Sequence, residues 1–298
     1  MYNIIISGAN GFVGNYFIKH NSLKYNFCKI NLRTTPPVFN KNVNLVLHFA
    51  GKAHDLKNAT NSNEYYIANT DLTISVFDKF IESNASVFIT LSSVKAVADS
   101  LEIVLSEDHT PNPFTDYGKS KLLAEEYILS KQIPKGKRVF ILRPCMIHGP
   151  GNKGNLNLLY KIVRKCLPWP LGAFDNKRSF CSIDNLNFVL NELIQNDQIP
   201  SGIYNVADDE ALSTNELIKM IAESQGKKPF ILNIPRFLVK FLSKLGDVFR
   251  LPLNTERLNK LTETYIVSNK KLKNFINKPL PVTAKDGLIK TFNSFNNA

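Results

Sequence analysis

Short apolar, β-branched runs alternate with segments of helical period through the first two thirds of the chain, the pattern of βα units feeding a parallel sheet. The runs predict strands at Asn3–Ser7, Phe27–Leu32, Leu45–Phe49, Val87–Leu91 and Arg138–Arg143, with a later one near Gly202–Val206. Between them the helical period predicts helices over about Phe12–His20, Glu64–Ser83 and Tyr117–Ser130. Right-handed crossovers would put every βα turn along one sheet edge, where open α/β folds bind ligands. The expected fold is α/β: a doubly wound parallel sheet of the Rossmann type with a smaller C-terminal α/β substrate lobe.

After Gly149-Pro150-Gly151 the texture changes to helices and loops, punctuated by prolines from Pro168 to Pro281. The expected division assigns 1–153 and 179–209 to a dinucleotide-binding domain, and 154–178 and 210–298 to the lobe. Ser213-Thr214-Asn215-Glu216 reads as a capping box, which is structural. Phe237–Leu245 reads as a basic amphipathic helix, expected to pack on the lobe rather than touch a membrane.

Composition changes this picture little. With 298 residues, 44% of them hydrophobic and 21% charged, the chain can build an ordinary core without staples. Cys28, Cys145, Cys166 and Cys181 form no CxxC or Cys/His cluster and are expected to be core thiols in a reducing compartment. No metal site is expected. Neither a signal peptide nor a membrane-length apolar run is visible, so a cytoplasmic location without membrane insertion is expected. The net charge of +12 comes from lysines dispersed among asparagines, with no aromatic-plus-basic RNA motif. It reads as a solvated surface, with steering of phosphorylated small molecules second and no nucleic-acid partner.

Gly8-Ala9-Asn10-Gly11-Phe12-Val13-Gly14 follows the first strand and opens the first helix. Glycines there permit a tight turn and close approach of a pyrophosphate to backbone N–H groups at a helix N-terminus. Gly8, Asn10, Gly11, Phe12, Val13 and Gly14 are therefore candidate cofactor residues. A site for NAD usually places a carboxylate at the end of the second strand; here the stretch is Lys29-Ile30-Asn31-Leu32-Arg33-Thr34. Arg33 suits a 2′-phosphate, which favours NADP(H) while leaving NAD(H) open.

Tyr117-Gly118-Lys119-Ser120-Lys121 begins a predicted helix, so Tyr117 and Lys121 share one face. An adjacent ammonium is expected to stabilise the phenolate and make the tyrosine a usable acid/base. Ser93, just past the strand Val87–Leu91, brings a hydroxyl to the same edge.

Together these motifs resemble the extended short-chain dehydrogenase/reductase family, the NAD-dependent nucleotide-sugar epimerases, dehydratases and ketoreductases, over nearly the whole length. The resemblance extends to His48-Phe49-Ala50-Gly51, Asn69, Leu142-Arg143-Pro144 and His148-Gly149-Pro150-Gly151. It implies that Phe49, Ala50, Gly51 and Asn69 line the cofactor. Asn155-Leu156 and Arg178 match positions that contact the nucleotide diphosphate in the family, and His54 is a candidate for the sugar. Tyr117, Ser93 and Lys121 would be the catalytic residues, with Tyr117 and Lys121 also holding the cofactor.

Departures from the family pattern are informative. About twelve residues separate Leu32 from Leu45, too few for the usual extra βα unit, so the sheet is expected to lack one strand. Met146 and His148 replace the family's asparagine and tyrosine, and His148 is expected to pack or line the pocket. Trp169 is read equally as a nucleotide shield and as lobe core. Val94-Lys95 stands where dehydratases carry Asp-Glu. The segments Ser92–Ala96 and Leu167–Gly172 are most similar to the UDP-glucose 4-epimerase-like subgroup, which implies reduction of a UDP-4-keto-6-deoxy-N-acetylhexosamine for surface polysaccharide. A 4-epimerase with bound NAD and a non-catalytic NAD(P)-binding sensor are the alternatives. The resemblance also allows a homodimer.

Overall fold

A computed structural model describes residues 1–33, 35–53, 62–101, 103–152, 154–249 and 254–295. The strands are β1 (Tyr2–Ser7), β2 (Tyr25–Ile30), β3 (Leu45–His48), β4 (Val87–Leu91), β5 (Arg138–Pro144), β6 (Met146–His148), β7 (Arg178–Ser182), β8 (Gly202–Val206) and β9 (Ala211–Leu212). Helices α1 (Phe12–Asn21), α2 (Asn63–Tyr65), α3 (Leu72–Glu82) and α4 (Asp116–Ser130) lie in the first half. They are followed by α5 (Asn155–Arg164), α6 (Ile183–Gln195), α7 (Thr214–Ser224), α8 (Arg236–Phe249), α9 (Thr255–Thr262), α10 (Lys270–Ile276) and α11 (Ala284–Phe295).

Six strands form one parallel sheet in the order β2-β1-β3-β4-β5-β8, the expected Rossmann-type arrangement, with no strand among the described residues between β2 and β3. Strand alternation sends successive side chains to opposite faces. Ile4 and Ile6 join Leu45, Leu47, Ile89, Phe140 and the α6 residues Leu186 and Leu190 on one face. Ile5 joins Val46, Phe77, Phe80 and Phe88 on the other. Burial on both faces explains why these strands read as continuous apolar runs. A third cluster, built from Leu156, Tyr160, Trp169, Phe180, Ile221 and Phe292, forms the core of the helical region. There β6, β7 and β9 make a small three-stranded sheet that the apolar pattern did not predict, because its strands are two to five residues long.

The second strand begins two residues earlier than expected and stops at Ile30. Its register pairs Tyr25 with Tyr2, and the Tyr25 hydroxyl donates to Asn191 on α6, so the buried tyrosine anchors the start. The Arg33 N–H donates to the Asn31 side chain, which turns the chain before Leu32 can join the sheet. The helix predicted over Glu64–Ser83 is interrupted by a π-helical turn at Tyr66–Asp71. Of the cysteines, Cys145 and Cys181 are buried as expected, whereas Cys28 and Cys166 are exposed. Cys28 lies on β2 at the sheet edge, and Cys166 follows the end of α5, so neither can be a core thiol.

Two buried polar networks tie the sheet's C-terminal edge together. In the first, the Ala50 N–H donates to Ser7 Oγ, and the Thr73 hydroxyl donates to the Asn69 carbonyl. His48 bridges them, with Nδ1 2.7 Å from Ser7 Oγ and Nε2 3.0 Å from Thr73 Oγ1. The Thr73 proton is already committed, so His48 must donate from Nε2 and accept from Ser7 at Nδ1. Burial, with Lys121 nearby, pushes this histidine down to about 3, so the ring is neutral. In the second, Glu125 on α4 takes Arg143 of β5 through Nε at 3.0 and 3.1 Å and Nη2 at 2.5 Å, and accepts from the Ser92 hydroxyl. Both side chains of the pair are almost fully buried.

Two stability predictions follow from these networks. Because His48 holds no proton in the fold until about pH 3, whereas an exposed histidine takes one near 6.5, stability is full above pH 6.5 and falls as pH drops through that window. Roughly 2 kcal/mol should be gone by pH 5, and urea titrations should show less acid sensitivity in His48→Gln than in the wild type. Arg143→Met leaves Glu125 charged and buried, and should cost about 3–5 kcal/mol, while Arg143→Met with Glu125→Leu should regain most of it. A single-variant loss under about 1 kcal/mol would contradict that role.

Candidate active site

The first βα turn begins at Gly8, whose φ is +70°, in the left-handed region that favours glycine. A Cβ there would lie 2.5 Å from the Ala50 nitrogen, and one at Gly14 would lie 2.3 Å from the Gly8 carbonyl. These contacts press β1, β3 and α1 together at the point where strand order reverses, between β1 and β3. Gly11 caps α1 without a side chain, and no acidic residue occupies the first turn. The helix therefore offers uncommitted N–H groups and an uncompensated positive end. A dinucleotide pyrophosphate fits that cradle. Asn10 is exposed at the turn, and Phe12 and Val13 pack partly on the sheet core. Arg33 is exposed beyond the end of β2, while Thr34 lies outside the described residues.

A cleft of about 470 Å³ opens along the same edge. Phe49, Gly51, Ser93, Tyr117 and Lys121 line it together with Arg178 and Glu263, so sequence-distant candidates converge there. The glycine after Tyr117 explains part of this convergence. A Cβ on Gly118 would lie 2.4 Å from the Lys95 carbonyl, so α4 starts in direct contact with the 3₁₀ turn Val94–Ala96 that follows Ser93. Thr115 caps α4 through the Gly118 N–H and donates to Asp99, whose carboxylate also takes the Phe114 and Thr115 N–H groups. With its start held in this way, the helix brings Tyr117 into hydrogen bonding with the Ser93 side chain.

The electrostatics differ from the expectation drawn from spacing. Burial holds the Tyr117 phenol above its ordinary value, opposed by the Ser93 hydrogen bond. Lys121 donates to the Leu91 carbonyl at 2.9 Å, and burial pushes it down to about 8, with the Glu125 carboxylate one turn along opposing the shift. The phenolate expected from the neighbouring ammonium is thus not the form this environment favours: burial raises the phenol, the Ser93 hydrogen bond offsets this only in part, and the phenol stays protonated at neutral pH.

Asn69 sits fully buried behind the cleft wall, inside the π-helical turn. Its side-chain oxygen accepts from the Lys52 N–H at 2.9 Å, and its nitrogen donates to the Lys52 carbonyl and to Ser120. It shapes the Gly51–Ala53 wall rather than lining it. Pulling this side chain inward is a task suited to a π turn, a feature common at functional sites. Leu156 needs a similar correction: its side chain is packed in the helical core. Among the described residues the cleft meets α5 at its cap, Gly154, because the apolar face of that helix is needed for packing. The Asn155 side chain and His54 lie outside the described residues. His148 is fully buried between Thr291 and Asp208, and Trp169 is lobe core with its indole N–H on Asn215.

At the far end of the cleft, Arg178 reaches Glu263 through Nη2 at 2.8 Å and the Glu263 carbonyl through Nε at 3.1 Å. Lys95 lies 4.2 Å from the centre of the Tyr265 ring and donates to the Asp99 carbonyl. Burial lowers both cations below their ordinary values. Sequence reasoning missed Glu263 and Tyr265, which belong to no motif, and gave Lys95 only a place in a subgroup signature. No group of three or more His, Cys, Asp or Glu side chains suited to a metal ion occurs among the described residues.

Comparison with known proteins agrees with this geometry. A Vibrio cholerae UDP-glucose 4-epimerase is 28% identical over 320 aligned residues, covering 98% of this chain and 95% of that protein. The N-acetyl-α-D-glucosaminyl-diphospho-ditrans,octacis-undecaprenol 4-epimerase of Escherichia coli O157:H7 is 25% identical, covering 92% and 85%. Among solved structures, UDP-N-acetylglucosamine 4-epimerase from Bacillus cereus superimposes with a TM-score of 0.78 over the whole of both chains at 18% identity, which shows the shared fold. The profile of the NAD dependent epimerase/dehydratase family matches residues 19–207, from within α1 to the end of the sheet. The chain belongs to that family, enzymes of the extended short-chain dehydrogenase/reductase type that work with a nicotinamide dinucleotide.

Proposed function

We propose that the protein is an NAD(P)-dependent oxidoreductase acting at C4 of a UDP-linked sugar. The observation that carries this reading is the convergence of Ser93, Tyr117, Lys121 and Arg178 on one cleft beside the glycine turn. When bound, the nicotinamide supplies or accepts hydride. Tyr117 exchanges a proton with the sugar oxygen, Ser93 hydrogen-bonds that oxygen, and Lys121 holds the cofactor ribose and offsets negative charge on the phenol. Gly8, Gly11 and Gly14 cradle the pyrophosphate, with Arg33 toward the 2′-phosphate of NADPH. The lobe formed by 154–178 and 210–298 holds the nucleotide, and Arg178 takes its diphosphate.

Reduction of a UDP-4-keto-6-deoxy-N-acetylhexosamine, for a surface polysaccharide, is the direction we favour. A phenol held protonated is ready to donate to the oxygen of a ketone undergoing reduction. The 4-epimerase reading has its own support, since the two relatives described above, aligned over 98% and 92% of this chain, are named 4-epimerases.

Purified protein given a UDP-4-keto sugar should oxidise one NADPH per sugar reduced. Interconversion of UDP-sugars by retained NAD, without net consumption, would favour the epimerase instead. In either case Tyr117→Phe should lower turnover roughly 10²–10⁴-fold with cofactor affinity little changed, and unaltered turnover would refute the catalytic assignment. Glu263 already occupies the Arg178 guanidinium, so a nucleotide diphosphate competes with it. Titration calorimetry should therefore show Glu263→Gln binding UDP about three- to tenfold more tightly, and Arg178→Ala more weakly. Weaker UDP binding by Glu263→Gln would instead make Glu263 a ligand for the nucleotide.

A further inference from the structure

Helix α8 does not pack as its sequence suggests. Over 14 residues it buries Val239, Ser243 and Gly246 against the rest of the fold. At 100° per residue these three fall on one narrow side. On the broad sector beyond them, Phe237 is 70% exposed, Phe241 59%, Val248 74% and Phe249 67%, with Leu238 and Leu242 exposed beside them. A hydrophobic stripe of this length facing water is uncommon on a soluble monomer and marks an interaction surface.

The charges on the helix identify what covers the stripe. Arg236, Lys240 and Lys244 recur every four residues along the edge next to Phe237 and Phe241. Arg236 is held to the Ala173 carbonyl, while Lys240 and Lys244 have no acidic partner among the described residues. The one acidic residue of the helix, Asp247, is engaged by Thr255 at the start of α9. A second copy pairing its α8 antiparallel to this one, about a two-fold axis perpendicular to the helix, would bring two such lysine rows to the same side of the contact. An anionic lipid surface neutralises them and accepts the aromatic and aliphatic stripe at the same time. The overall charge of +12 draws the protein to the same surface. No helix among the described residues is long and apolar enough to cross a membrane, so the fitting geometry lies in the plane of the interface.

We infer that α8 is an interfacial helix that docks the protein on an anionic bilayer, with Phe237, Phe241, Leu242, Val248 and Phe249 in the headgroup–acyl boundary and Lys240 and Lys244 on lipid phosphates. The surface shares no residue with the cleft, so it stands or falls separately from the catalytic reading.

The test is co-sedimentation of the full chain with vesicles of phosphatidylcholine alone, or of phosphatidylcholine with one third phosphatidylglycerol. The protein should partition to the phosphatidylglycerol vesicles. Phe241→Ser combined with Val248→Ser should lower that partitioning about tenfold or more, with circular dichroism and turnover unchanged because both positions face solvent. Lys240→Gln with Lys244→Gln should lower it about three- to tenfold and reduce its salt dependence. Protein left in the supernatant, or a serine variant that sediments like the wild type, would overturn the inference. So would sedimentation velocity showing a dimer that the serine variant converts to a monomer, since a second copy would then be the occupant.

Discussion

A lysine ammonium brought into a nearly closed site at the end of a parallel sheet is the constraint from which the rest of the cleft follows. Lys121 is buried, and a buried cation has to find oxygen acceptors or lose its proton. It finds the Leu91 carbonyl at the end of β4 and the carboxylate of Glu125 one helical turn along. Glu125 could not remain charged in that position alone. Arg143 from the next strand neutralises it, and Ser92 satisfies it further. One charge therefore fixes the position of α4 against β4 and β5, and with it the placement of Tyr117 and Ser93.

The opposite wall is held by neutral groups. His48, Ser7 and Thr73 link β1, β3 and the helical segment beneath the Gly51–Ala53 wall, and Asn69 clamps the backbone of Lys52. Cleft geometry is thereby set on one side by an ion-pair network and on the other by hydrogen bonds whose donors and acceptors are all assigned. Between them the glycine turn supplies N–H groups with no competing side chain. A site built in this way is organised before any ligand arrives, which is how fixed dipoles and charges contribute to catalysis.

Much of this was legible from the chain. The strand runs, the glycine turn and the Tyr117/Lys121 spacing each rest on local rules of pattern and period, and local rules are visible in one dimension. The shortened connection after Ile30 was legible for the same reason, since a chain cannot fit a βα unit into a dozen residues. What was misread depended on partners far along the sequence. The start of β2 followed Tyr25 and its bond to Asn191, the Leu156 side chain went to a core assembled from five helices, and the exposure of Cys28 and Cys166 followed from where edges and helix ends fell. The amphipathic pattern of α8 was read correctly as a pattern, but which sector faced inward was not encoded in it.

By itself, then, the sequence determined the fold class, the glycine turn behind the first strand and the placing of Tyr117 and Lys121 on one helix face, because each is written in contiguous residues whose spacing matches a repeat of the backbone. Only the tertiary structure decided the protonation state of the phenol, the inward turn of Asn69, the occupation of Arg178 by Glu263 and the outward face of α8. Those properties depend on desolvation and on contacts between segments tens to hundreds of residues apart. Neither exists until the chain has closed on itself.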